Sequence, residues 1–369
     1  MGDALILGLL ARELGKRSNL HLGVAGVPSD FTRLIVQLSG SDVRLVESSF
    51  WPRVFWATLT NSFLWRRASH QTVHLFLTPG HKRVRSRVRL RKILLVSLLA
   101  TLRALNCRIA RIGFSLELPA STAASLTERF LGNCCSLYSP RDSRSVHLAR
   151  RIGIRDAVWS PDLATLFAED PSEVKGLPMK RAVSGSRVGV SLRPASSPST
   201  TGRAVRQILH AYHHDLGVPS VVPFGQVRND SNYTTSVLQE RGILHEDPKD
   251  FPVSVEGLFK LVHFYQQMAL ILTDRLHVAL MAMAQGCRTV ALIGADDSPK
   301  LLDALSSLNI DAAWYFSYDE QGYAGPGTVV EWFSTMWQLD PEISNKQLSS
   351  AGQDSKQILQ RYFGRHARE

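Results

Sequence analysis

Along the chain, short unbroken apolar runs alternate with segments whose apolar residues recur every three to four positions. Runs bounded by turn residues read as buried strands, and the longer period reads as a helix packed by one face. Asp3 can cap a helix whose apolar positions are Leu5, Ile6, Leu9, Leu10 and Leu14. "HLGVAG" (21–26) and "TVHLFL" (72–77) read as strands, and a helix that turns from basic to apolar follows over about 84–105. Then come strand "RIARIGF", helix 121–131, strand "CSLYS", helix 142–152 and a short strand "AVWS" (157–160). Strands and helices in strict alternation imply βα units and a parallel sheet.

The pattern lapses at 168–186, "AEDPSEVKGLPMKRAVSGS", a polar stretch with Pro and Gly and no sustained period. It then restarts. Strand "RVGVSL" (187–192) leads to helix 201–216 and strand "PSVVPF". A helix at 254–267 precedes strand "ALILT", helix 276–285, strand "RTVALIG", helix 298–308 and a short strand near "AAWYF". Residues 327–363 read as helical. The fold class this implies is α/β: two Rossmann-like domains facing a cleft, with parallel sheets and a C-terminal helical tail. The expected divisions are an N-terminal domain 1–170, a linker 171–186, a C-terminal domain 187–326, and helices 327–369 that pack back across the domains.

Composition narrows the picture. A chain of 369 residues favours two domains over one. With 44% hydrophobic and 20% charged residues it can bury full cores and is not a disordered chain. The formal net charge of +11 favours anionic partners without choosing among nucleic acid, phosphorylated metabolites, acidic polymers and membrane surfaces. The four cysteines (Cys107, Cys134, Cys135, Cys287) have neither metal-ligand nor disulfide-framework spacing, and they read as reduced thiols. The N-terminal "MGDALILGLLAREL" places an acid where a signal peptide would be basic, so a cytoplasmic location is expected.

In open α/β sheets, ligands sit beyond the carboxyl ends of the strands. The polar residues there are therefore the candidates. Pro140-Arg141-Asp142 follows "CSLYS", and Pro161-Asp162 follows "AVWS". Arg193-Pro194 follows "RVGVSL". Gln226, Arg228 and Asp230 follow "PSVVPF". Asp274-Arg275-Leu276-His277 follows "ALILT", and "ADDSPK", ending in Lys300, follows "RTVALIG". Arg141, Arg193, Arg275 and Lys300 thus bring cations to strand ends. Guanidinium forks and helix N-termini suit a small, highly charged anion. His277 falls in the first turn of a helix, where the dipole favours the neutral ring, and a neutral imidazole can relay protons. Asp274 can orient that ring or hold Arg275. An Arg at a strand end serves equally well as a helix cap or salt-bridge partner, and Asp142 and Asp162 can simply cap helices or turns. No Walker loop, G-x-G-x-x-G, H-E-x-x-H or G-x-S-x-G is present.

Several of these segments resemble the polysaccharide pyruvyl transferase family. They are "LYSPRDSRSVHLARRIGI", "VWSPDLATLF", "VGVSLRP" and "ILTDRLHVALMAMAQGCRTVALIG", and "GDALILGLL" is similar to that family's N-terminal G-D-x-x-I stretch. The resemblance implies a GT-B-like fold and transfer of pyruvate from phosphoenolpyruvate onto a sugar of a cell-surface polysaccharide or its lipid-linked precursor, as a ketal. By that analogy Arg193, Arg275 and the Leu276 backbone bind the donor, with Arg141 and Lys300 as further donor-side cations, and His277 is the general acid/base with Asp274 beside it. Asp3, Asp142 and Asp162 are candidates for acceptor-side or structural roles. No metal or cofactor is called for, since phosphoenolpyruvate is a co-substrate. Two departures stand out. The family's strand before the G-D motif is missing, so either the true start lies upstream or the N-terminal sheet has lost an element. Its glycine-rich turn is reduced here to Thr78-Pro79-Gly80-His81.

Seven Lys or Arg lie within 82–92, ahead of an apolar segment. Peripheral contact with an anionic membrane and a solvated basic face both explain them. A nucleic-acid partner is not expected, because no aromatic residues interleave with the charges. The competing functional readings are a GT-B glycosyltransferase using a nucleotide-sugar and an inactive scaffold in polysaccharide assembly.

Overall fold

A computed structural model describes residues 2–16, 21–24, 28–40, 44–47, 60, 74–77, 80–82, 90–117, 121–169, 186–194, 198–226, 230–294, 300–319, 322–325 and 327–364. They form two compact units. The expected linker at 171–186, Arg228, and the turn residues Thr78 and Pro79 lie outside the described residues, apart from Ser186 at the linker's end.

The N-terminal unit comprises Leu10–Thr32, Ser39–Leu163 and Asp354–Glu369. Helices α1 (Gly2–Gly15) and α2 (Ser29–Ser39) each contribute residues to both units. Strands β1 (His21–Val24) and β2 (Arg44–Glu47) form a parallel pair. A second parallel sheet is built on β5 (Arg108–Leu116). Along one side of it run β3 (His74–Leu77) and β4 (Gly80–Lys82) in one continuous register, and β6 (Leu137–Pro140) lies on the other. With neighbours on both sides, β5 is buried along nearly its whole length. Helices α3 (Leu90–Ala104) and α4 (Thr122–Cys134) are the crossovers on either side of β5. The Ser121 hydroxyl caps α4 by accepting from Ala124 N–H, and the Asp142 carboxylate caps α5 (Ser143–Arg151) by accepting from Ser145 N–H at 2.6 Å.

The expected strand at 157–160 does not form. The segment runs beside β6 and donates from Val158 and Ser160 to the Tyr138 and Pro140 carbonyls, but Pro161 follows at once and can donate nothing to a ladder. The period also hides a buried ion pair. Arg111 on β5, 2% exposed, binds Glu128 on α4, and Glu128 also accepts from the Tyr138 hydroxyl at 2.9 Å. The Arg111 guanidinium lies 3.8 Å from the Phe114 ring centroid.

The C-terminal unit comprises Met1–Leu9, Arg33–Leu38 and Ala164–Gln353. It opens on the short helix α6 (Leu166–Glu169). Its strands are β7 (Arg187–Ser191), β8 (Ser220–Gly225), β9 (Lys249–Asp250), β10 (Leu270–Thr273), β11 (Thr289–Gly294), β12 (Tyr315–Asp319) and β13 (Gly322–Tyr323). They lie in the order β13-β12-β11-β10-β7-β8-β9, all parallel except the terminal β13. Taken from β7 onward, the parallel strands follow the doubly wound order 3-2-1-4-5-6, whose direction reverses between β7 and β10. Those two strands are central, and their apolar residues are fully buried, as a sheet covered on both faces requires.

The intervening helices are α7 (Pro198–Leu216), α8 (Asp230–Glu240), α9 (Val255–Gln267), α10 (Leu276–Ala284) and α11 (Lys300–Ser307). The hydrophobic pattern does not announce α8, because "YTTSVLQE" offers only Val237 and Leu238 as large apolar anchors. Helix α12 (Val329–Gln338) starts at a Thr328/Glu331 capping box and packs Phe333 and Trp337 on Tyr212 of α7. The last helix, α13 (Pro341–Gly364), begins in this unit, where Asn345 donates to the Ala284 carbonyl. Its end belongs to the N-terminal unit, where the Tyr362 and Phe363 rings pack on His74 and Phe76. None of the four cysteines forms a disulfide in this structure. Among the described residues no helix is long and apolar enough to cross a membrane.

Candidate functional site

The reversal point of the C-terminal sheet places the ends of β7 and β10 side by side. Thr273, the last residue of β10, ties them together: its hydroxyl donates to the Ser191 carbonyl at 2.8 Å and accepts from Arg275 N–H at 3.0 Å. The chain therefore turns sharply into α10, with Arg275 as the extended residue ahead of the first helical turn. Leu276 and His277 open that helix. Its first backbone N–H groups have no intrahelical acceptor, so a positive dipole end faces the strand tips.

Both guanidiniums at this edge are held by carboxylates. Asp274, 3% exposed, accepts from Arg193 N–H at 2.9 Å and lies 3.5 Å from Arg193 Nε. Asp230, 2% exposed, accepts from Arg275 Nη2 at 2.5 Å. Asp3 on α1 lies 3.2 Å from His277 Nδ1. The side chains of Arg193, Arg275 and His277 are 36%, 24% and 23% exposed. Buried acids thus sit beneath the two partly exposed guanidiniums. A guanidinium has five donors, and the carboxylate beneath Arg275 takes only part of them. Arg275 Nε is buried with no hydrogen-bond partner among the described residues, and so are Ser191 Oγ and Ser231 Oγ.

Asp230 reaches Arg275 because α8 starts hard against the end of β8. A Cβ on Gly225 would stand 2.9 Å from Ser231 N and 3.2 Å from Asp230 Cβ, so only glycine leaves room for that approach. Thr234, one turn along α8, accepts from Leu192 N–H at 3.0 Å and fixes the chain just before Arg193. In the sequence Asp230 stands out only as one polar residue after a strand, and Thr273 reads as part of an apolar run. The acid that holds Arg275 is Asp230. Asp274 takes Arg193.

The remaining candidates fall elsewhere. Arg141, Asp142 and Asp162 belong to the N-terminal unit, in one buried network. Arg141 Nη1 donates to Asp162 at 2.7 Å, Arg141 Nε donates to Ser115 Oγ at 2.8 Å, and Asp142 is the cap of α5. Lys300 opens α11 after β11, and its side chain lies outside the described residues.

A family profile described as polysaccharide pyruvyl transferase matches residues 90–295, more than half of the chain. No curated protein sequence matches it. Solved structures are similar across nearly the whole chain. One, assigned as a UDP-N-acetylglucosamine 2-epimerase from Listeria monocytogenes, has a TM-score of 0.56 at 9% identity and covers 100% of this chain and 94% of its own. The UDP complex of S. aureus MnaA has a TM-score of 0.52 at 11% identity, with coverages of 100% and 95%. The UDP-GlcNAc 2-epimerase from Neisseria meningitidis bound to UDP-GlcNAc has a TM-score of 0.52 at 10% identity, with coverages of 98% and 96%. At such identities the likeness establishes the fold, which is of the GT-B type, with two α/β units built on parallel sheets.

Proposed function

We propose that this chain, which belongs to the polysaccharide pyruvyl transferase family and is a transferase, moves pyruvate from phosphoenolpyruvate onto a sugar as a ketal. The observation that carries the reading is the paired array at the reversal point. Arg193 and Arg275, each seated on a buried aspartate, flank the positive end of α10. Phosphoenolpyruvate offers a phosphate and a carboxylate a few bonds apart, a fit for two guanidinium forks and a helix terminus.

In this scheme Arg193 and Arg275 grip the two anionic groups, with the N–H groups of Leu276 and His277 completing the cradle. His277 delivers a proton to the methylene carbon as a sugar hydroxyl adds to the central carbon and releases its own proton. The adduct then carries methyl, carboxylate, phosphate and sugar oxygen on one carbon. A second sugar hydroxyl displaces inorganic phosphate and loses its proton, which closes the ketal. Guanidinium groups already in place stabilise the charge that grows on the departing phosphate, and such preorganised electrostatics commonly supply the largest share of catalysis. Asp3 at Nδ1 directs Nε2 of the imidazole toward the reacting carbon.

A second reading, a nucleotide-sugar transferase, draws on neighbours of this fold that bind UDP or UDP-GlcNAc. Calorimetry separates the two. Phosphoenolpyruvate should bind the wild type and fail to bind Arg275→Ala, and the full reaction should release one phosphate per ketal methyl seen by NMR. Binding of UDP-GlcNAc with silence from phosphoenolpyruvate would overturn the proposal.

A further inference from the structure

Between Glu47 and Glu117 the chain has no acidic residue, yet residues 48–116 carry thirteen Lys or Arg. That exceeds the whole chain's formal excess of +11, so the protein's basicity is concentrated in this part of the N-terminal unit. Three of the seven tryptophans, Trp51, Trp56 and Trp65, fall in the same stretch. Arginine mixed with tryptophan and aliphatic residues is the composition of segments that settle at a lipid–water interface.

The described helices of this unit supply the matching surface. β4 leads through α3 to β5, and β5 leads through α4 to β6, with β5 between the other two. Right-handed crossovers in that order place both helices on one face of the sheet, running parallel, with their N-termini at the strands' carboxyl ends. The two helices pack against each other. Leu99 and Leu102 of α3 and Ala124 and Leu131 of α4 enter the core. On the outward side Ile93 is 50% exposed, Leu94 59%, Leu126 46% and Phe130 60%. Ile93, Leu94 and Leu126 occupy the fourth and fifth positions of their helices, and Phe130 lies one turn past Leu126. The helices hold one acid between them, Glu128, and it is buried against Arg111 and Tyr138. The basic run 82–92 starts at the last residue of β4 and ends in the first turn of α3.

We infer that this face of the N-terminal unit docks on a membrane surface rich in anionic headgroups, with Ile93, Leu94, Leu126 and Phe130 entering the interface and the arginines meeting the headgroups. The surface stands whatever the reaction. Joined to the transfer proposed above, it makes the acceptor a lipid-linked saccharide presented at the bilayer.

The test is co-sedimentation of the full chain with phosphatidylcholine vesicles that contain or lack phosphatidylglycerol. The wild type should pellet only with the anionic vesicles. Arg85→Gln/Arg87→Gln/Arg89→Gln should weaken this by roughly 100-fold, taking about 1 kcal/mol for each basic residue near such a surface. Ile93→Ser/Leu94→Ser/Phe130→Ser, all at exposed positions, should weaken it by roughly 10-fold while circular dichroism stays that of the wild type. Failure of the wild type to pellet would overturn the inference. So would unchanged pelleting of the serine variant, and displacement of that variant and the wild type alike by single-stranded RNA would then mark a general polyanion surface. Phosphoenolpyruvate calorimetry on the same proteins reads the donor site separately, so either proposal can fail alone.

Discussion

Arg141 and Arg275 occupy equivalent places in two similar units. Each follows a buried parallel strand, each precedes a helix, and each is paired with an aspartate. Their surroundings differ. Arg141 is 8% exposed at its side chain, with Nε on Ser115, Nη1 on Asp162 and its carbonyl accepting from Trp159 Nε1. Arg275 is 24% exposed at its side chain, binds Asp230 from below and keeps Nε buried without a partner among the described residues. The first is a buried cation that donates to two side chains inside the protein. The second is held in place with capacity in reserve. What separates the two arginines is thus how deeply each is buried and how many donors the fold has already used, and position after a strand reveals neither.

The sharpest way to break this comparison is at the proposed donor site. His277→Ala should lower turnover by about 10²–10⁴-fold, the usual range for a general acid–base group. Arg275→Ala should lower it by about 10²–10³-fold, as when one preorganised donor is lost, and it should also lower the melting temperature, because Asp230 is as deeply buried as Asp162. Steady-state kinetics beside thermal unfolding would read both, and near-normal turnover in either variant would remove that residue from the mechanism.

Arg141→Ala should act on stability without touching the proposed donor site. It takes the cation out of a buried ion pair, which costs about 3–5 kcal/mol. Chemical denaturation would measure it, and a loss under 1 kcal/mol would mean the pair is not structural. Arg141→Met/Asp162→Leu tests the same idea from the other side. Removing both charges together should recover most of the loss, because apolar replacements of a buried pair are often neutral.

Next in size is a pH effect confined to the N-terminal unit. Burial first, and then nearby Arg108, lowers the His74 pKa from 6.5 to about 4. The folded state therefore resists protonation that the unfolded chain accepts. The contribution is fully present above about pH 6.5 and is lost as pH falls toward 4. His74→Phe should flatten the fall in melting temperature across that window, and an unchanged slope would assign the effect to other groups.

The smallest effect is expected at Asp3. Its side chain is 73% exposed, so its pairing with His277 is screened and worth at most about 1 kcal/mol. Asp3→Asn should slow turnover by no more than about five-fold, and a larger loss would show a tighter coupling to the ring.

The pattern of apolar positions alone determined the βα alternation and its restart near residue 187. It determined the strands 108–116, 187–191, 270–273 and 289–294 to within a residue or two, because burial on both faces of a parallel sheet demands unbroken apolar runs. It also placed Arg193 and the Asp274–His277 stretch at strand ends, since a polar residue directly after such a run can sit only at the edge. Helix α8 escaped notice because it buries few large side chains. Arg111 escaped because a charge paired inside the core breaks no local period.

Only the tertiary structure decided which strand ends are neighbours. The reversal of strand order between β7 and β10 brings Arg193 beside Asp274 across eighty-one positions of chain. It also decided which acid holds which cation: Asp230 for Arg275, Asp3 for His277 and Asp162 for Arg141. The physical reason is one of range. Hydrophobic periodicity reports each residue's own burial, whereas a hydrogen-bonded pair depends on the crossing of distant segments, and no local pattern carries that information.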